Sequence, residues 1–389
     1  MKSTLKIGIV CYPTFGGSGV VATELGLGLA KKGHQIHFIT YRQPARFNAF
    51  QENIYYHEVS GEDYPLFEYP PYDTTLASKM VDVVKYEELD ILHVHYAIPH
   101  AAVAYMVKKI LLTEGKYIPV VTTLHGTDIT LVGTNKAFAP VVAFSINKSD
   151  GVTAVSQYLT DATYAQFNIE KEIRTIPNFI DFDRFKKADK DHFKKAVAPN
   201  GEKILVHVSN FRKVKRVDDV VKIFHKVQET IPSKLLLIGD GPDRQNVEEL
   251  CRELDLGHEV RFLGKQEAVE ELLAIADVFL LPSGSESFGL AALEAMACEV
   301  PVISSNIGGL PEVNIHGETG FLSDLGNVEE MATNCIKLLS NPPLHDKFRM
   351  NALHQARNFH IDKILPLYES YYREVIEASV YEKASIDKE

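Results

Sequence analysis

Short apolar runs alternate with helical patterns along almost the whole chain, and this alternation limits the folds that it can adopt. Runs such as Ile91–His95, Val120–Leu124 and Ala276–Leu281 have the length of buried strands. Each run is followed by a glycine-rich or polar turn and then by apolar residues at helical spacing. Strands that alternate with helices are typical of parallel sheets built from βαβ units. The sequence therefore predicts a doubly wound α/β protein.

A length of 389 residues is enough for two domains of ordinary size. Pro177–Asp181 and the charged stretch Lys186–Lys195 interrupt the alternation and are interpreted as a linker. We therefore expect one Rossmann-like domain over residues 1–178 and a second over residues 179–363, facing a central cleft. The last helical pattern, Ile364–Val380, is expected to cross back so that residues 364–389 pack on the first domain.

Composition excludes several classes of protein. The net charge of −11 argues against general binding to nucleic acids or anionic membranes. The four cysteines lie far apart, with no metal-binding spacing, which favours a reducing compartment. The first apolar run is too short for a signal peptide, and no run reaches the ~18–20 residues of a membrane span. We expect a cytoplasmic protein without stable membrane association, and assembly into a homo-oligomer stays open.

The segment Pro282–Cys298 has the pattern of a turn and a helix that follow a buried strand. The helix is expected to restart at Ser287, with Ser285 or Ser287 as its N-cap. Free N–H groups and the positive end of the helix dipole would make this start an anion site. Gly289 would let the backbone approach a ligand closely.

Glu286 and Glu294 frame this predicted helix start. On one continuous helix they would be ~12 Å apart, whereas the paired carboxylates of sugar hydrolysis are ~5–9.5 Å apart. The two carboxylates are therefore better suited to two parts of one long ligand, such as a nucleotide sugar. The alternative is that both are ordinary solvated or dipole-stabilised glutamates, and spacing alone does not decide between the two interpretations.

Other polar residues follow predicted strands, where open α/β sheets bind ligands. The Gly16–Gly19 loop lacks the dinucleotide pattern G-x-G-x-x-G, so it is either a backbone ligand site or only a tight turn. His93 and His95 lie on one face of a strand, but no third ligand has suitable spacing, which favours core histidines over a metal site. The basic segment Arg212–Arg216 indicates an anionic substrate, because the chain as a whole is acidic.

Taken in order, these motifs resemble one family over nearly the whole chain. They are the glycine loop, D-I-L-H-V-H-Y, T-L-H-G-T-D, the basic segment, G-D-G-P and E-S-F-G-L-A-A-L-E. This order is similar to the GT-B retaining glycosyltransferases of family 4, and Glu286–Glu294 carry the specific E-x7-E signature. The resemblance implies two Rossmann-like domains and a nucleotide-sugar donor, with no metal and no cofactor.

Three segments, 11–19, 95–101 and 209–217, are especially similar to one branch of the family. That similarity implies transfer of N-acetylglucosamine (GlcNAc) from UDP-GlcNAc to the hydroxyl of L-malate, the first step of bacillithiol biosynthesis, with the α configuration retained. The first domain would then be the acceptor side and the second would bind the nucleotide sugar.

The resemblance also implies roles for individual residues. Glu286 would bind sugar hydroxyls, His125 would position the sugar, and Lys215 with Arg212 would neutralise the departing UDP. Glu294 would hold the ribose, and the remaining donor contacts would be Ser287, Phe288, Gly289, Leu290, Asn210, Gly17, Gly241 and Leu263. The acceptor contacts would be Gly16, Ser18, Tyr96 and Thr127. The family pattern Arg-x4-Lys has Asn210 at its first position here, so Arg212 is expected to substitute.

Three alternatives stay open at this point. A family 4 transferase could use another small anionic acceptor, such as a phosphoinositol, or a lipid. A UDP-GlcNAc 2-epimerase would share the fold and donor but would need no acceptor. A two-lobed sugar-binding protein would perform no chemistry, so product formation would distinguish it.

Overall fold

A computed structural model of the protein describes residues 3–14, 16–47, 51–60, 71–188 and 191–386. The chain divides into two compact units. Unit 1 comprises Met1–Asn178 and Asp362–Glu389, and unit 2 comprises Phe179–Ile361. The first boundary falls between the same two residues at which the sequence analysis divides the chain.

Unit 1 contains a seven-stranded sheet in the order β3-β2-β1-β4-β5-β6-β7. Every neighbouring pair is parallel. The strands are β1 Lys6–Val10, β2 Gln35–Thr40, β3 Ile54–Glu58, β4 Ile91–His95, β5 Val120–Leu124, β6 Gly151–Ala154 and β7 Ile173–Thr175. The helices before the second unit are α1 Gly17–Lys31, α2 Tyr72–Tyr86, α3 Ala102–Thr113, α4 Ala139–Lys148 and α5 Gln157–Gln166.

Unit 2 contains a six-stranded parallel sheet in the order β10-β9-β8-β11-β12-β13. Its strands are β8 Lys203–Val208, β9 Ser233–Ile238, β10 Val260–Gly264, β11 Val278–Leu281, β12 Val302–Ser305 and β13 Gly320–Ser323. Its helices are α6 Asp191–Val197, α7 Val217–Gln228, α8 Arg244–Glu253, α9 Val269–Ala274, α10 Leu290–Ala297, α11 Leu310–Val313, α12 Val328–Leu339 and α13 Pro342–Ala356.

The last helix, α14 Ile361–Ile386, belongs to unit 1 from Asp362 onward. Tyr371 and Tyr372 bind residues of the unit 1 sheet. Tyr371 Oη donates to the carbonyl of Val152 at 3.1 Å and accepts from its N–H at 2.8 Å. The Tyr372 hydroxyl lies 2.7 Å from His93 Nδ1 in the buried core. No helix among the residues described has the length and apolarity needed to cross a membrane.

The central strands of both sheets are buried along their length. All residues of β4, β5 and β11 are buried, as expected for parallel strands with helices on both faces. The predicted doubly wound α/β class is therefore confirmed for each unit.

Several local predictions differ from the structure. The expected helix start at Ser287 is wrong, because α10 begins at Leu290. The charged stretch predicted as linker contains the start of α6. The short elements α4, β7 and β13 were not predicted. In the first glycine loop, α1 begins at Gly17, so Gly17–Gly19 form its first turn rather than a loop before it.

Candidate active site

In unit 2, the strand order reverses between the neighbouring strands β8 and β11. Open α/β sheets bind ligands at such a switch point, beyond the carboxyl ends of the strands. The basic segment follows β8, and the segment that carries Glu286 follows β11. The two predicted donor-binding segments therefore start side by side at the place where the topology favours a ligand.

Lys215 and Glu286 are joined directly at this switch point. Lys215 Nζ lies 2.6 Å from Glu286 Oε1, and the two side chains are 22% and 13% exposed. A partly buried pair of this kind is less screened by solvent than a surface ion pair. The arrangement places an ammonium and a carboxylate where an anion and a sugar hydroxyl could be bound together.

The other cations of the basic segment are placed differently. Arg216 has left-handed backbone geometry and its Nε donates to Asp219 at 2.6 Å, so its charge is used inside unit 2. Lys213 and Arg212 are exposed. The Arg212 carbonyl accepts a hydrogen bond from the N–H of Lys215 at 2.7 Å. Among the described residues, Lys215 is thus bonded to Glu286, whereas no bond joins the Arg212 guanidinium to either of them.

Two glycines hold the backbone of Glu286 in place. A Cβ at Gly308 would lie 2.0 Å from the carbonyl oxygen of Glu286, and one at Gly309 would lie 2.3 Å from that of Ser287. The Gly309 N–H also donates to the Glu286 carbonyl at 2.9 Å. These glycines were not predicted as site residues, although a Gly-Gly pair shortly after a strand is a signal for close backbone approach.

A second pair of glycines holds the segment after β8. A Cβ at Gly239 would lie 1.8 Å from the carbonyl of Ser209, and one at Gly241 would lie 2.5 Å from that of Asn210. The Gly239 N–H donates to the Gly264 carbonyl at 2.8 Å, which brings the end of β10 next to this loop. The predicted donor contacts Asn210 and Gly241 therefore lie on adjoining turns, and Leu263 lies near the end of the neighbouring strand β10.

His207 supports the same segment and was missed from the sequence. Its Nε2 lies 2.7 Å from Ser209 Oγ, and its Nδ1 lies 2.8 Å from the carbonyl of Leu280 in β11. Burial lowers the pKa of His207 to about 4, so the ring is neutral at pH 7. Since the Leu280 carbonyl can only accept, Nδ1 carries the proton and Nε2 accepts from the Ser209 hydroxyl.

The start of α10 corrects the expected N-cap. Gly289 occupies that position with φ +100°, and no side chain caps the helix. A Cβ there would lie 2.6 Å from the Leu310 side chain, so both the backbone geometry and the space favour glycine. Glu286 precedes the helix, whereas Glu294 is buried inside it. The distance expected for one continuous helix therefore does not apply.

The remaining residues of this turn divide into core and surface. The Phe288 ring is buried and packs edge-on against Phe359, with ring centroids 5.4 Å apart. Phe288 can therefore offer a ligand its N–H but not its ring. Ser287 and Leu290 are partly exposed at the start of α10.

In unit 1, the strand order reverses between β1 and β4. Four predicted residues meet beyond these strands and β5: Ser18, Tyr96, His125 and Thr127. The Tyr96 hydroxyl donates to Ser18 Oγ at 2.5 Å. It also interacts with Thr127, and the Tyr96 and His125 rings are 5.2 Å apart. We call these four residues the Tyr96 cluster.

The backbone of the Tyr96 cluster is unusual. Tyr96 has φ +83°, a conformation that is costly for a bulky residue and that is often found at functional sites. Burial raises the pKa of Tyr96 to about 12, so its hydroxyl keeps its proton at pH 7. Gly16 and Gly17 are exposed at the start of α1, where free N–H groups are available.

Asp128 fixes the turns that follow β4 and β5. Its carboxylate accepts from the N–H of Ala97 at 2.9 Å and from that of Gly126 at 3.0 Å. Asp128 is buried, and burial raises its pKa although these hydrogen bonds oppose the shift. The side chain links the segments that carry Tyr96 and His125, and the sequence analysis gave it no role.

The histidines of β4 form hydrogen bonds inside unit 1. His93 Nδ1 binds the Tyr372 hydroxyl, and His93 Nε2 lies 2.6 Å from Thr123 Oγ1. His95 Nδ1 lies 2.7 Å from His125 Nε2. The interpretation of His93 as a core histidine therefore fits its contacts, whereas His95 connects the core to the Tyr96 cluster.

One group among the described residues has atoms close enough for a metal ion: His37, His57 and Glu87, with ligand atoms within 4.8 Å of one another. His37 Nδ1 and His57 Nε2 are 2.9 Å apart, and the ring centroids are 5.2 Å apart. The two nitrogens therefore point at each other, which suits a shared hydrogen rather than two lone pairs converging on a metal.

Each of the two units matches a known family of glycosyltransferases. Residues 15–184 match the family described as Glycosyltransferase Family 4, and residues 188–355 match Glycosyl transferases group 1. The chain is 49% identical to N-acetyl-alpha-D-glucosaminyl L-malate synthase of Bacillus anthracis, over 96% of this chain and 97% of that protein. It is 29% identical to an uncharacterized glycosyltransferase of Methanocaldococcus jannaschii, over 87% of this chain and 90% of that one.

Solved structures give the same fold at low sequence identity. Sucrose-phosphate synthase from Thermosynechococcus elongatus superposes with a TM-score of 0.80 at 20% identity, covering 96% of this chain and 100% of that one. Anabaena HepE, solved in complex with UDP and glucose, superposes with a TM-score of 0.79 at 20% identity, covering 94% and 99%. With two parallel-sheet units and these matches, the chain belongs to the GT-B glycosyltransferases of family 4.

Proposed function

We propose that this enzyme transfers GlcNAc from UDP-GlcNAc to the hydroxyl of L-malate, the first step of bacillithiol biosynthesis. The observation that carries the proposal is the 49% identity, over 96% of the chain, to a relative named for this reaction. The acidic net charge of −11 supports a small acceptor over an anionic lipid surface.

The donor site is proposed to lie at the switch point of unit 2. Glu294 would bind the two ribose hydroxyls, since a carboxylate can accept two hydrogen bonds side by side. The N–H groups of Ser287, Phe288, Gly289 and Leu290 would bind the diphosphate. Backbone groups of the segments Gly239–Pro242 and Leu263–Lys265 would flank the uracil. Asn210 would be a further donor contact, and Gly17 of unit 1 would add an N–H.

Glu286 and Lys215 are proposed to act on the reacting part of the donor. Glu286 would accept hydrogen bonds from hydroxyls of the transferred sugar, while His125 would position that sugar. Lys215, assisted by Arg212, would stabilise the negative charge that develops on the departing diphosphate. Such charge stabilisation in a prepared site is usually the largest contribution to catalysis.

The reaction is proposed to retain the α configuration. The bond between sugar C1 and the diphosphate oxygen breaks while the malate hydroxyl oxygen bonds to C1 on the same face. The proton of that hydroxyl passes to the departing phosphate oxygen, so no protein nucleophile is needed. The lysine ammonium supplies the positive charge, and we propose that the reaction requires no metal ion.

The acceptor is proposed to bind at the Tyr96 cluster. L-Malate is small and doubly anionic, so it needs hydrogen-bond donors and positive charge. Ser18, Tyr96 and Thr127 offer hydroxyls, and Gly16 offers its N–H at the start of α1. The Arg212 guanidinium is exposed and would supply positive charge.

The experiment is a UDP-release assay with UDP-GlcNAc and a panel of acceptors: L-malate, D-malate, an inositol phosphate and none. Each reaction is run with and without EDTA. We expect release that depends on L-malate and is unchanged by EDTA. Release without any acceptor would favour the epimerase. Release only with the inositol phosphate would mean that this compound, and not malate, is the acceptor. Loss of release in EDTA would contradict metal independence.

A further inference from the structure

His95 and His125 form a head-on pair of imidazole rings. His95 Nδ1 and His125 Nε2 are 2.7 Å apart, while the ring centroids are 5.0 Å apart. The centroid distance exceeds the nitrogen distance by about the sum of the two centroid-to-nitrogen distances within the rings. Both nitrogens therefore lie close to the line that joins the centroids, and they point at each other. One of the two nitrogens must therefore donate a hydrogen and the other must accept it.

Both rings are neutral around pH 7. Burial lowers the pKa of His125 to about 3 and places the pKa of His95 well below its ordinary value. A neutral imidazole carries one hydrogen, on either Nδ1 or Nε2. The pair therefore has two possible arrangements, which differ in which ring donates.

The surroundings of His95 distinguish the two arrangements. His95 Nε2 is buried and has no hydrogen-bond partner among the described residues. If His125 donated, the hydrogen of His95 would sit on Nε2 as a buried N–H without an acceptor. If His95 donates from Nδ1, its Nε2 carries no hydrogen, and only the lone pair of that nitrogen lacks a partner. Among backbone groups, a buried N–H without a partner is rarer than an under-used acceptor, and we apply the same ordering here.

We propose that His95 is a positioning residue that donates from Nδ1 to His125 Nε2 and so holds the hydrogen of His125 on Nδ1. His125 is partly exposed beyond β5, next to Tyr96. In this tautomer its Nδ1–H is a hydrogen-bond donor toward a ligand. The ligand group would be an oxygen of the transferred sugar, and this last step rests on the proposed function.

The fold explains why His95 can control the ring. His95 is the last residue of the buried strand β4, and its carbonyl accepts from His100 Nδ1 at 2.6 Å. Its ring stacks on His93 with centroids 4.4 Å apart, and His93 is held by Tyr372 and Thr123. The imidazole that donates to His125 is therefore fixed from the core side, which favours a single orientation.

The direct test is nitrogen NMR on ¹⁵N-histidine-labelled protein, which reports the position of the ring hydrogen. In the wild-type protein we expect the hydrogen of His125 on Nδ1, with Nε2 as an acceptor, and the His125→Gln variant assigns the signals. A hydrogen on Nε2 of His125 in the wild-type protein would overturn the inference, whatever the activity.

Two substitutions of His95 test the consequence. In His95→Asn, the amide nitrogen is as many bonds from Cα as Nδ1 is, so it can still donate to His125. In His95→Leu the donor is lost. We expect His95→Asn to keep the Nδ1–H tautomer and to stay within about threefold of wild-type kcat/KM. We expect His95→Leu to lower kcat/KM by about 10- to 100-fold, with reduced Nδ1–H population.

His37→Leu is the matched control, because His37 forms the same head-on pair with His57 elsewhere in unit 1. It should lower stability without moving the His125 tautomer or kcat/KM. An equal loss of kcat/KM in His37→Leu and His95→Leu would mean that His95 affects activity only through the stability of the fold. A wild-type protein that releases no UDP with L-malate but has His125 protonated on Nδ1 would contradict the proposed function alone.

Discussion

At the scale of single residues, the contact between Lys215 and Glu286 is the main support for the donor site. The two charged atoms are 2.6 Å apart at the switch point of unit 2. Lys213 lies in the same short turn, Lys213–Lys215, but is exposed. The two lysines therefore share a backbone environment and differ in what their side chains contact.

This difference gives a matched pair of variants. Lys215→Ala should lower kcat by about 10²–10³-fold, because it removes a charge proposed to stabilise the departing diphosphate. Lys213→Ala should leave kcat within about twofold, as expected for an exposed surface residue. The measurement is the steady-state rate of UDP release for both variants beside wild type, with far-UV circular dichroism to check folding. A folded Lys215→Ala enzyme with nearly wild-type kcat would refute the role of this lysine.

A second prediction concerns the hydroxyl of Tyr372, which binds His93 Nδ1 at 2.7 Å in the core. Tyr372→Phe should destabilise the protein by about 1–3 kcal/mol, because it leaves a buried polar nitrogen without its partner. Tyr86→Phe, at a side chain that is 80% exposed, is the control and should change stability little. Urea denaturation measures both. Equal stability of the two variants would mean that this hydroxyl does not help to anchor α14.

At the scale of secondary-structure elements, glycines control how the loops after the strands approach each other. Gly308 has φ +57°, and a Cβ there would lie 2.0 Å from the Glu286 carbonyl. Gly317 has φ +76°, but a Cβ there would meet nothing within 4 Å. Both positions carry the backbone cost of a side chain in the left-handed region, about 1–2 kcal/mol. Only Gly308 adds a steric overlap.

Gly308→Ala should therefore destabilise the protein by about 2–5 kcal/mol, the sum of left-handed and overpacking costs. It should also lower kcat by displacing Glu286. Gly317→Ala should cost about 1–2 kcal/mol with unchanged kcat. The two free energies come from urea denaturation, and kcat comes from UDP release. If both variants behaved alike in both assays, the loop at Gly308 would not be what positions Glu286.

The elements also show what the sequence could and could not predict. Strands β4 and β5 were predicted residue for residue, because short runs of apolar residues bounded by turns leave little freedom. The start of α10 was misplaced, because a serine cap is the commoner signal and the left-handed Gly289 depends on contact with Leu310. The edge strand β7 spans only Ile173–Thr175, too short to give a pattern.

The candidate site was predictable in part for a similar reason. Ser18, Tyr96, His125 and Thr127 each follow a predicted strand, and parallel topology brings such positions together. Asp128, His207 and Gly308 act through contacts with residues distant in sequence. Those contacts depend on register and packing, which a single sequence does not encode locally.

At the scale of the whole molecule, buried neutral histidines should make the fold sensitive to acid. Burial lowers the pKa values of His37, His100 and His207 to about 4, and those of His93 and His125 to about 3, from 6.5. Between pH 6.5 and 4 the unfolded chain binds protons at these positions and the folded protein does not. The free energy of unfolding must therefore fall as the pH falls through that range.

For one histidine with a folded pKa near 4, the loss between pH 7.5 and pH 5 is on the order of 2 kcal/mol. The histidines together should lower the urea midpoint clearly over that interval. The measurement is a pair of urea denaturation curves at the two pH values, monitored by tyrosine fluorescence. An unchanged or higher midpoint at pH 5 would contradict the prediction that these rings dominate the acid sensitivity of the fold.

The chemical identity of the product decides whether the proposed transfer takes place. After incubation with UDP-GlcNAc and L-malate, the product is isolated for mass spectrometry and proton NMR. We expect a single compound in which GlcNAc is joined to the malate hydroxyl, with the small anomeric coupling of an α linkage. A β-linked product would contradict retention, and free N-acetylhexosamine without any malate adduct would contradict the proposed transfer itself.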